Sequence, residues 1–299
     1  MKIGLFSIGA GRAAQPEIVA QLASKAEEVG FESIFAPEHT VLFPAAAYTS
    51  VYPYSEDGKI GGLRPEGDTN LLDPFLTLTW AAAHTRTIRL GTGICLVPQR
   101  NPLILAKEVA SLDVLSAGRV IFGVGIGWLK EEFRALGIAP AHRAARTREY
   151  VQAMQVLWTE EDPHFTGRFC SFPPVKLHPK PVQRPYPPIL FGGESEPALR
   201  RAVEVGNGWL GFNVSVQETA QAIQRMRALA AAAGRDFAAL DISVGPYNKE
   251  PNLSLETLQR YRDLGVQRVV LMNTTNNPER IDAALEHLGN TLVQPALAL

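Results

Sequence analysis

Residues 88–102 read IRLGTGICLVPQRNP, and residues 118–137 read GRVIFGVGIGWLKEEFRALG. In each segment an apolar, β-favouring run precedes a helix-like pattern, which predicts a buried parallel strand followed by a helix. Glycines interrupt both runs, at Gly91 and Gly93 in the first and at Gly123, Gly125 and Gly127 in the second. Glycines within strands mark either a packing accommodation or a backbone that lies close to a ligand. Their common place at the carboxyl ends of two strands favours a ligand site.

The alternation of strand and helix patterns continues along the whole chain. The predicted strands are Lys2–Ile8, Ser33–Ala36, Ile88–Val97, Arg119–Val124, Ile189–Gly192, Trp209–Phe212, Leu240–Val244 and Arg268–Met272. Strands that alternate with helices predict a parallel sheet, and eight such units predict closure into a (β/α)8 TIM barrel. A doubly wound open sheet is the alternative fold. We expect a single domain that spans residues 1–299.

Two connections are long for a compact barrel. Residues 40–72 follow the second strand and carry the aromatic residues Phe43, Tyr48, Tyr52 and Tyr54, which predicts a lid or substrate wall, with a packed surface loop as the alternative. Prolines crowd residues 159–188, before the fifth strand, and exclude a helix there. We expect an extended excursion with a small hairpin around FTGRFCSF.

Composition narrows the class of protein. The chain has 299 residues, 46% of them hydrophobic, and a formal net charge of -1, so electrostatics would attract neither nucleic acid nor an anionic membrane. Cys95 and Cys170 lack the spacing of a metal site or a disulfide framework. The short, glycine-broken amino-terminal run is a poor signal peptide, and no apolar run reaches membrane-spanning length. These features predict a cytoplasmic protein with a small-molecule substrate and no metal.

The central signature, PQRNPLILAKEVASLDVLSAGRVIFGVGIGWLKEEFRALG, resembles that of the bacterial luciferase-like family, especially its branch of deazaflavin (coenzyme F420) dependent oxidoreductases. SIFAPEHTVLFP lies upstream, and FTGRFCSF, PKPVQRPYPPILFGGESEPALRRA and GNGWL follow in the order that this family shows. The similarity spans nearly the whole chain. It implies a (β/α)8 barrel that holds a flavin-type ring at the carboxyl ends of its strands, and a homodimer.

His39 is the candidate catalytic residue, because it follows the second predicted strand and an imidazole can transfer a proton near neutral pH. The resemblance implies that Glu38 contacts the deazaflavin and that His39 faces the reaction. It also implies a cis peptide bond between Gly93 and Ile94, which would press against the middle of the tricyclic ring. The other histidines are interpreted as structural.

The remaining candidate residues concern the cofactor and the substrate. Gly192 and Gly193 lie between a strand and a helix start, where backbone amides form an anion site, although the charge of Glu194 would oppose a phosphate there. Gly125 and Gly127 are expected to leave one side of their strand end as bare backbone against the cofactor. Phe43 and Trp128 are predicted to line the substrate pocket. The resemblance implies a glutamate at position 128 in sugar-phosphate dehydrogenases, so Trp128 predicts a more apolar substrate.

Other motifs are excluded or given a structural role. The segment from Gly123 to Gly127 is not GxGxxG, and no GxxxxGK[ST] occurs. The charged residues of the central stretch are interpreted as solvated or salt-bridged helix residues: Glu108, Asp113, Arg119, Glu131 and Glu132.

Three functions follow from these residues and the resemblance. The first is an oxidoreductase that exchanges a hydride between F420 and a small, rather apolar substrate, with His39 handling the proton. The second is a monooxygenase that uses reduced flavin mononucleotide (FMN) and dioxygen. The third is a flavin-binding protein without turnover. The sequence does not separate F420 from FMN.

Overall fold

A computed structural model describes residues 1–52, 67–273 and 277–299. Its strands are β1 Lys2–Phe6, β2 Ser33–Ala36, β3 Arg89–Thr92, β4 Cys95–Leu96, β5 Val120–Gly125, β6 Phe165–Thr166, β7 Ser171–Phe172, β8 Ile189–Gly192, β9 Gly208–Phe212, β10 Asp241–Gly245 and β11 Arg268–Met272. Its α-helices are α1 Pro16–Glu28, α2 Pro74–Ala83, α3 Pro102–Leu115, α4 Lys130–Ala135, α5 Arg143–Thr159, α6 Glu196–Glu204, α7 Val216–Ala232, α8 Leu255–Leu264, α9 Pro278–Leu288 and α10 Gln294–Ala296.

The main sheet closes on itself. Its order is β3, β2, β1, β11, β10, β9, β8, β5 and β4, and β3 also pairs with β5. All of these pairings are parallel, including β1 with β2 and β1 with β11. Since β3 and β4 are two halves of one barrel position, the sheet is an eight-stranded parallel barrel. The predicted (β/α)8 fold is confirmed, and the open sheet is excluded.

Local sequence accounts for where the helices begin. Asp73 precedes α2 and its Oδ1 accepts hydrogen bonds from the backbone N–H groups of Phe75 and Leu76, while Pro74 occupies the first helical position. Asn101 and Pro102 repeat this arrangement at α3. A proline at this position needs no hydrogen-bond donor, and the cap satisfies amides that the helix itself leaves unpaired. These caps fix the points at which the chain turns from the barrel mouth into a helix.

The apolar residues form two cores. The larger lies between the barrel and the helices, and it includes Trp158 and Trp209. The smaller fills the barrel itself and consists of Phe35, Ile121, Leu190, Leu210 and Val270, with Phe6 and Ile94 packed against it. A barrel interior filled by side chains is a packed core and not a channel, so a ligand must bind above it, at the carboxyl ends of the strands.

The two long connections differ in how far they are described. Of residues 40–72, the structure describes 40–52 and 67–72, so Tyr54 lies outside the described residues. The proline-rich segment contains the predicted hairpin, in which β6 pairs antiparallel with β7, and no helix occurs within the described residues 160–188. None of the described helices is both long and apolar enough to cross a membrane. The homodimer remains a prediction.

Candidate active site

A cavity of about 1600 Å³ opens at the carboxyl ends of the barrel strands. Its lining contains nearly all of the predicted site residues, namely Glu38, His39, Gly93, Ile94, Gly125, Gly127, Trp128, Gly192 and Gly193. Phe43 is absent from the described lining; its ring instead packs edge-on against Tyr48 at 6.0 Å. The predicted residues, which are distant in sequence, therefore surround one space, apart from Phe43.

The wall of the cavity between β3 and β4 is a bulge. The Gly93–Ile94 peptide bond is cis, as the resemblance implied. The bulge is fixed on both sides, because the backbone N–H of Gly93 donates to the carbonyl of Ala36 at 2.7 Å and Thr92 Oγ1 donates to the carbonyl of Gly123 at 2.7 Å. Ile94 is thereby held against the cavity, beside the strand ends of β5 and β8.

The glycines opposite the bulge leave space for the side chain of Ile94 more than for a ligand. A Cβ added at Gly125 would lie 2.0 Å from Ile94 Cδ1, and one added at Gly192 would lie 3.0 Å from the same atom. At Gly123 an added Cβ would lie 1.9 Å from the carbonyl oxygen of Thr92. The expectation that one side of β5 presents bare backbone is wrong at Gly123 and Gly125, because the bulge fills the space that these glycines leave.

His39 is held through one ring nitrogen. Its Nδ1 lies 3.1 Å from Glu132 Oε2, and the Glu132 side chain is fully buried. Glu132 Oε1 also accepts from the backbone N–H groups of Thr40 and Val41, and its Oε2 accepts from Gln99 Nε2 at 3.1 Å. Burial opposes ionisation of Glu132, but the hydrogen bonds from His39, Gln99 and the backbone outweigh it and lower its pKa. An ionised Glu132 fixes the proton of neutral His39 on Nδ1, which leaves Nε2 for a ligand.

The neighbouring Glu131 holds the loop that covers this side of the cavity. Its carboxylate accepts from the backbone N–H groups of Thr49 and Ser50 and from both of their hydroxyls. Burial would raise its pKa, but these hydrogen bonds lower it to about 2. Glu131 is buried and makes no ion pair within the described residues, so its interpretation as a solvated or salt-bridged helix residue is wrong. Glu132 is not solvated either, but it does pair with His39. Two acids at the start of α4 instead bind the connection after β2 to the end of β5.

Glu38 is engaged with a cation from the bulge segment. Its Oε1 accepts from Arg100 Nε at 2.7 Å and from Arg100 Nη2, and its Oε2 accepts from the backbone N–H of Leu96. Arg100 also binds Asp73 at 2.6 Å and Glu108 at 3.2 Å. Glu38 therefore ties β2 to the chain that follows the bulge. Its expected contact with the cofactor remains a prediction.

Aromatic rings form the wall beside His39. The His39 ring lies edge-on to Trp128 at 5.9 Å, and the buried Tyr52 lies edge-on to Trp128 at 5.1 Å. Edge-to-face packing of this kind fixes ring orientation in addition to burying area. Position 128 thus contributes an apolar surface next to the imidazole, and Tyr52 takes the place in the wall that was predicted for Phe43.

The β8 side of the cavity is cationic and rich in backbone amides. Gly192 and Gly193 lead into α6, whose N-cap residue Ser195 makes no side-chain capping bond. Arg143 and Arg201 line the same side, and Arg143 Nε donates to the carbonyl of Gly127 at 3.0 Å. An anion would meet both the positive end of a helix and two guanidinium groups here.

Glu194 is turned away from its own helix. Its Oε1 accepts from the backbone N–H of Phe212 at 2.8 Å, and burial raises its pKa to about 7. The group is therefore mostly uncharged well below pH 7, which there reduces the repulsion of an anion that the sequence suggested. Across residues 1–52, 67–273 and 277–299, no cluster of three or more His, Cys, Asp or Glu side chains is placed to hold a metal ion.

A family model described as luciferase-like monooxygenase matches residues 1–247. The chain belongs to this luciferase-like family. An uncharacterized protein of Mycobacterium tuberculosis is 33% identical over 299 residues, which are 98% of this chain and 99% of that protein. The FMNH2-dependent dimethylsulfone monooxygenase of Pseudomonas putida is 36% identical over 137 residues, which are 45% of this chain and 38% of that protein.

Solved structures of similar fold include F420-dependent proteins and one in complex with FMN. An F420-dependent secondary alcohol dehydrogenase in complex with an F420-acetone adduct has a TM-score of 0.75 at 18% identity, covering 99% of this chain and 98% of that chain. A type II Baeyer–Villiger monooxygenase of Pseudomonas putida in complex with FMN has a TM-score of 0.74 at 16% identity, covering 98% of both chains. At these identities the likeness shows the fold alone.

Within this luciferase-like barrel, sequence reasoning missed several residues of the site. Glu132 and Arg201 lie on the helix that directly follows a strand, and Arg143 begins the second helix after β5. That position was the available signal, because active residues of (β/α)8 barrels come from this end. Tyr247, which follows β10 and lines the cavity, carries the same signal and was also missed.

Proposed function

We propose that this luciferase-like protein is an oxidoreductase that binds coenzyme F420 and exchanges a hydride with a small, largely apolar organic substrate. The observation that carries the proposal is the His39–Glu132 pair, in which a buried carboxylate holds Nδ1 at 3.1 Å beside the cavity. Hydride transfer to a carbonyl group, or from the corresponding alcohol, needs a partner that moves a proton, and His39 Nε2 is the ring nitrogen free to do so.

The residues present fit such a cofactor. Ile94 and the fixed bulge offer an apolar surface for a flat ring, and the β8 side offers Arg143, Arg201 and the start of α6 for an anionic tail. When bound, the deazaflavin would supply or accept the hydride at its ring. A cavity of about 1600 Å³ exceeds the ordinary range for one ligand and leaves space for a substrate as well.

His39 and Glu132 divide the proton chemistry between them. In the oxidation of an alcohol, His39 Nε2 accepts the hydroxyl proton, and the resulting imidazolium is stabilised by the carboxylate of Glu132. In the reverse direction the imidazolium returns that proton to the carbonyl oxygen. Trp128 and Tyr52 exclude water from this corner, because their rings close the wall beside the imidazole.

The first test is a fluorescence titration of the purified apoprotein with F420 and, separately, with FMN, each in oxidised and reduced form. We expect F420 to bind at least tenfold more tightly than FMN. A clear preference for FMN would overturn the proposal and make oxygen consumption the next assay.

A second function is favoured by one specific similarity. The dimethylsulfone monooxygenase that matches 137 residues of this chain depends on FMNH2, which supports an FMN-dependent monooxygenase as the alternative. In that case the enclosed pocket would protect the oxygenated flavin from water. A binding protein without turnover is the third possibility, and the absence of turnover with either cofactor across a broad substrate panel would favour it.

A further inference from the structure

Tyr247 occupies the side of the cavity that faces the bulge across the barrel. It begins a short 3-10 helix directly after β10. In the closed sheet, β10 is separated from β3 by β2, β1 and β11 in one direction and by β9, β8 and β5 in the other. Tyr247 and the Gly93–Ile94 bulge therefore lie on opposite sides of one space.

The phenol of Tyr247 folds back over the interior of the barrel. Gly245 of β10 pairs in register with Phe212 of β9. Residues two apart on a strand face the same side of the sheet, so positions 212 and 245 face the barrel interior, as Leu210 does. A Cβ added at Gly245 would lie 2.3 Å from Cζ and 2.4 Å from the hydroxyl oxygen of Tyr247. The hydroxyl end of the ring thus occupies the position that an inward side chain at residue 245 would take.

Two phenylalanine rings and an uncommon backbone conformation hold Tyr247 in place. Its ring centroid lies 4.7 Å from Phe212 and 5.7 Å from Phe6, and Phe6 in turn touches the bulge at Gly93. Tyr247 has a φ of +42°, in the left-handed region that side chains other than glycine rarely adopt. Such outliers persist where the surrounding structure enforces them, often at functional sites.

The Tyr247 hydroxyl differs from that of the buried Tyr261. Tyr261 on α8 donates to the carbonyl of Val214 at 2.8 Å, away from the cavity lining. In the described part of the chain, no hydrogen bond reaches the Tyr247 hydroxyl. Burial raises the pKa of Tyr247, so the group stays a neutral hydrogen-bond donor throughout the physiological range. Tyr247 is partly buried and lines the cavity, so its hydroxyl can donate to a polar ligand atom there without giving up a bond within the protein.

We propose that Tyr247 is a substrate-binding residue whose hydroxyl donates a hydrogen bond to a carbonyl or hydroxyl oxygen of an otherwise apolar ligand. The apolar body of the ligand would pack on Phe6, Phe212 and Met272, which line the same side. Tyr247 binds and orients the ligand, while proton transfer stays with His39. The inference rests on the proposed function only in calling this ligand the substrate.

Paired ligands test the proposal directly. Wild-type protein and the Tyr247→Phe variant are titrated by ligand-observed NMR with cyclic ketones and alcohols, each matched to a hydrocarbon of equal shape such as cyclohexanone and methylenecyclohexane. The titrations are made on apoprotein and repeated with saturating cofactor. We expect the variant to lose roughly three- to tenfold in affinity for the oxygen-bearing member of each pair and nothing for the hydrocarbon, because one hydrogen bond is removed.

Tyr261→Phe is the matched control. It removes a hydroxyl that the protein itself uses, so it should lower the Tm and leave ligand affinity unchanged, whereas Tyr247→Phe should leave the Tm unchanged. Equal losses for both members of a pair, or a fall in Tm for Tyr247→Phe like that of Tyr261→Phe, would overturn the proposal. So would the failure of every oxygen-bearing ligand to bind wild-type protein. None of these results depends on hydride transfer, so failure of the proposed function would be recognised separately.

Discussion

Buried charges occur at both ends of this barrel, but they are arranged differently. At the amino ends of the strands, Arg268 is fully buried and donates to Glu32 at 2.8 Å, to Asp241 at 3.2 Å and to Ser243 at 2.7 Å. At the carboxyl ends, Glu132 is equally buried but binds His39, whose second ring nitrogen faces the cavity without a protein partner in the described residues.

This difference distinguishes a buried charge that stabilises the fold from one that can take part in a reaction. The guanidinium of Arg268 is surrounded by acceptors from β10 and from the residue before β2, so it has nothing left to offer a ligand. His39 keeps an unused nitrogen because Glu132 occupies only one side of its ring. Buried charge alone is therefore a poor sign of an active site. A buried charge that orients a group with remaining hydrogen-bonding capacity is a better one.

The largest effect on turnover is expected from His39→Ala. Loss of a positioned proton carrier should lower kcat by roughly 10²- to 10⁴-fold. The Tm should change little, because His39 makes a single hydrogen bond and the buried Glu132 keeps those from Gln99 and the backbone. Steady-state kinetics with the first substrate that the wild-type protein turns over measures kcat. Unchanged kcat in the variant would remove the proton role.

Arg268→Leu is expected to have the opposite profile. It leaves Glu32 and Asp241 without their cation in a buried setting, which should lower the free energy of unfolding by about 3–5 kcal/mol. Urea unfolding followed by circular dichroism gives this value, and cofactor affinity of the folded fraction should stay at the wild-type level. A loss of cofactor affinity in the folded fraction would show that the buried charges at the amino ends of the strands also affect the site, and would contradict this distinction between the two ends of the barrel.

Glu132→Gln tests whether Glu132, and not the neighbouring Glu131, supports the proton transfer by His39. An amide at this position no longer stabilises the imidazolium by its charge, so kcat should fall about tenfold or more. Glu131→Gln is the matched control, since Glu131 binds only the Thr49–Ser50 segment. The interpretation fails if both variants lower kcat equally.

Much of this fold could be predicted from the sequence because its signals are local. Alternating strands and helices, caps such as Asp73–Pro74 and the position of His39 after β2 are each visible within a few residues. That a single domain spans residues 1–299 remains a prediction. The cis bond at Gly93–Ile94 came from the family resemblance, since spacing carries no information about that isomer.

The site itself depends on pairs that the sequence does not bring together. His39 and Glu132 are 93 positions apart, and only barrel closure places them in contact. Gly125 and Gly192 resembled ligand-facing glycines, but both accommodate the side chain of Ile94. An added methyl group clashes equally with a ligand or with a neighbouring residue, so the sequence pattern could not decide between these two causes.

The smallest expected effect comes from Glu194, and it tests the anion site through pH. Because burial raises the folded pKa of Glu194 to about 7, the folded protein binds this proton more tightly than the unfolded chain does. Below the ordinary carboxyl pKa, Glu194 is protonated in both states and its ionisation does not affect the free energy of unfolding. As the pH rises toward 7, the unfolded chain loses this proton first, so the free energy of unfolding falls. The Tm of Glu194→Gln relative to wild type should increase between pH 5 and pH 8.

The same ionisation should affect an anionic cofactor. A charged Glu194 next to Gly193 and the start of α6 opposes a phosphate, so wild-type affinity for F420 or FMN should fall relative to Glu194→Gln as pH rises through 7. Comparing the two proteins at each pH cancels the titration of the cofactor itself. Parallel affinity curves would place the cofactor's charge away from Glu194, and the phosphate would then have to bind nearer to Arg143 than to the glycine turn.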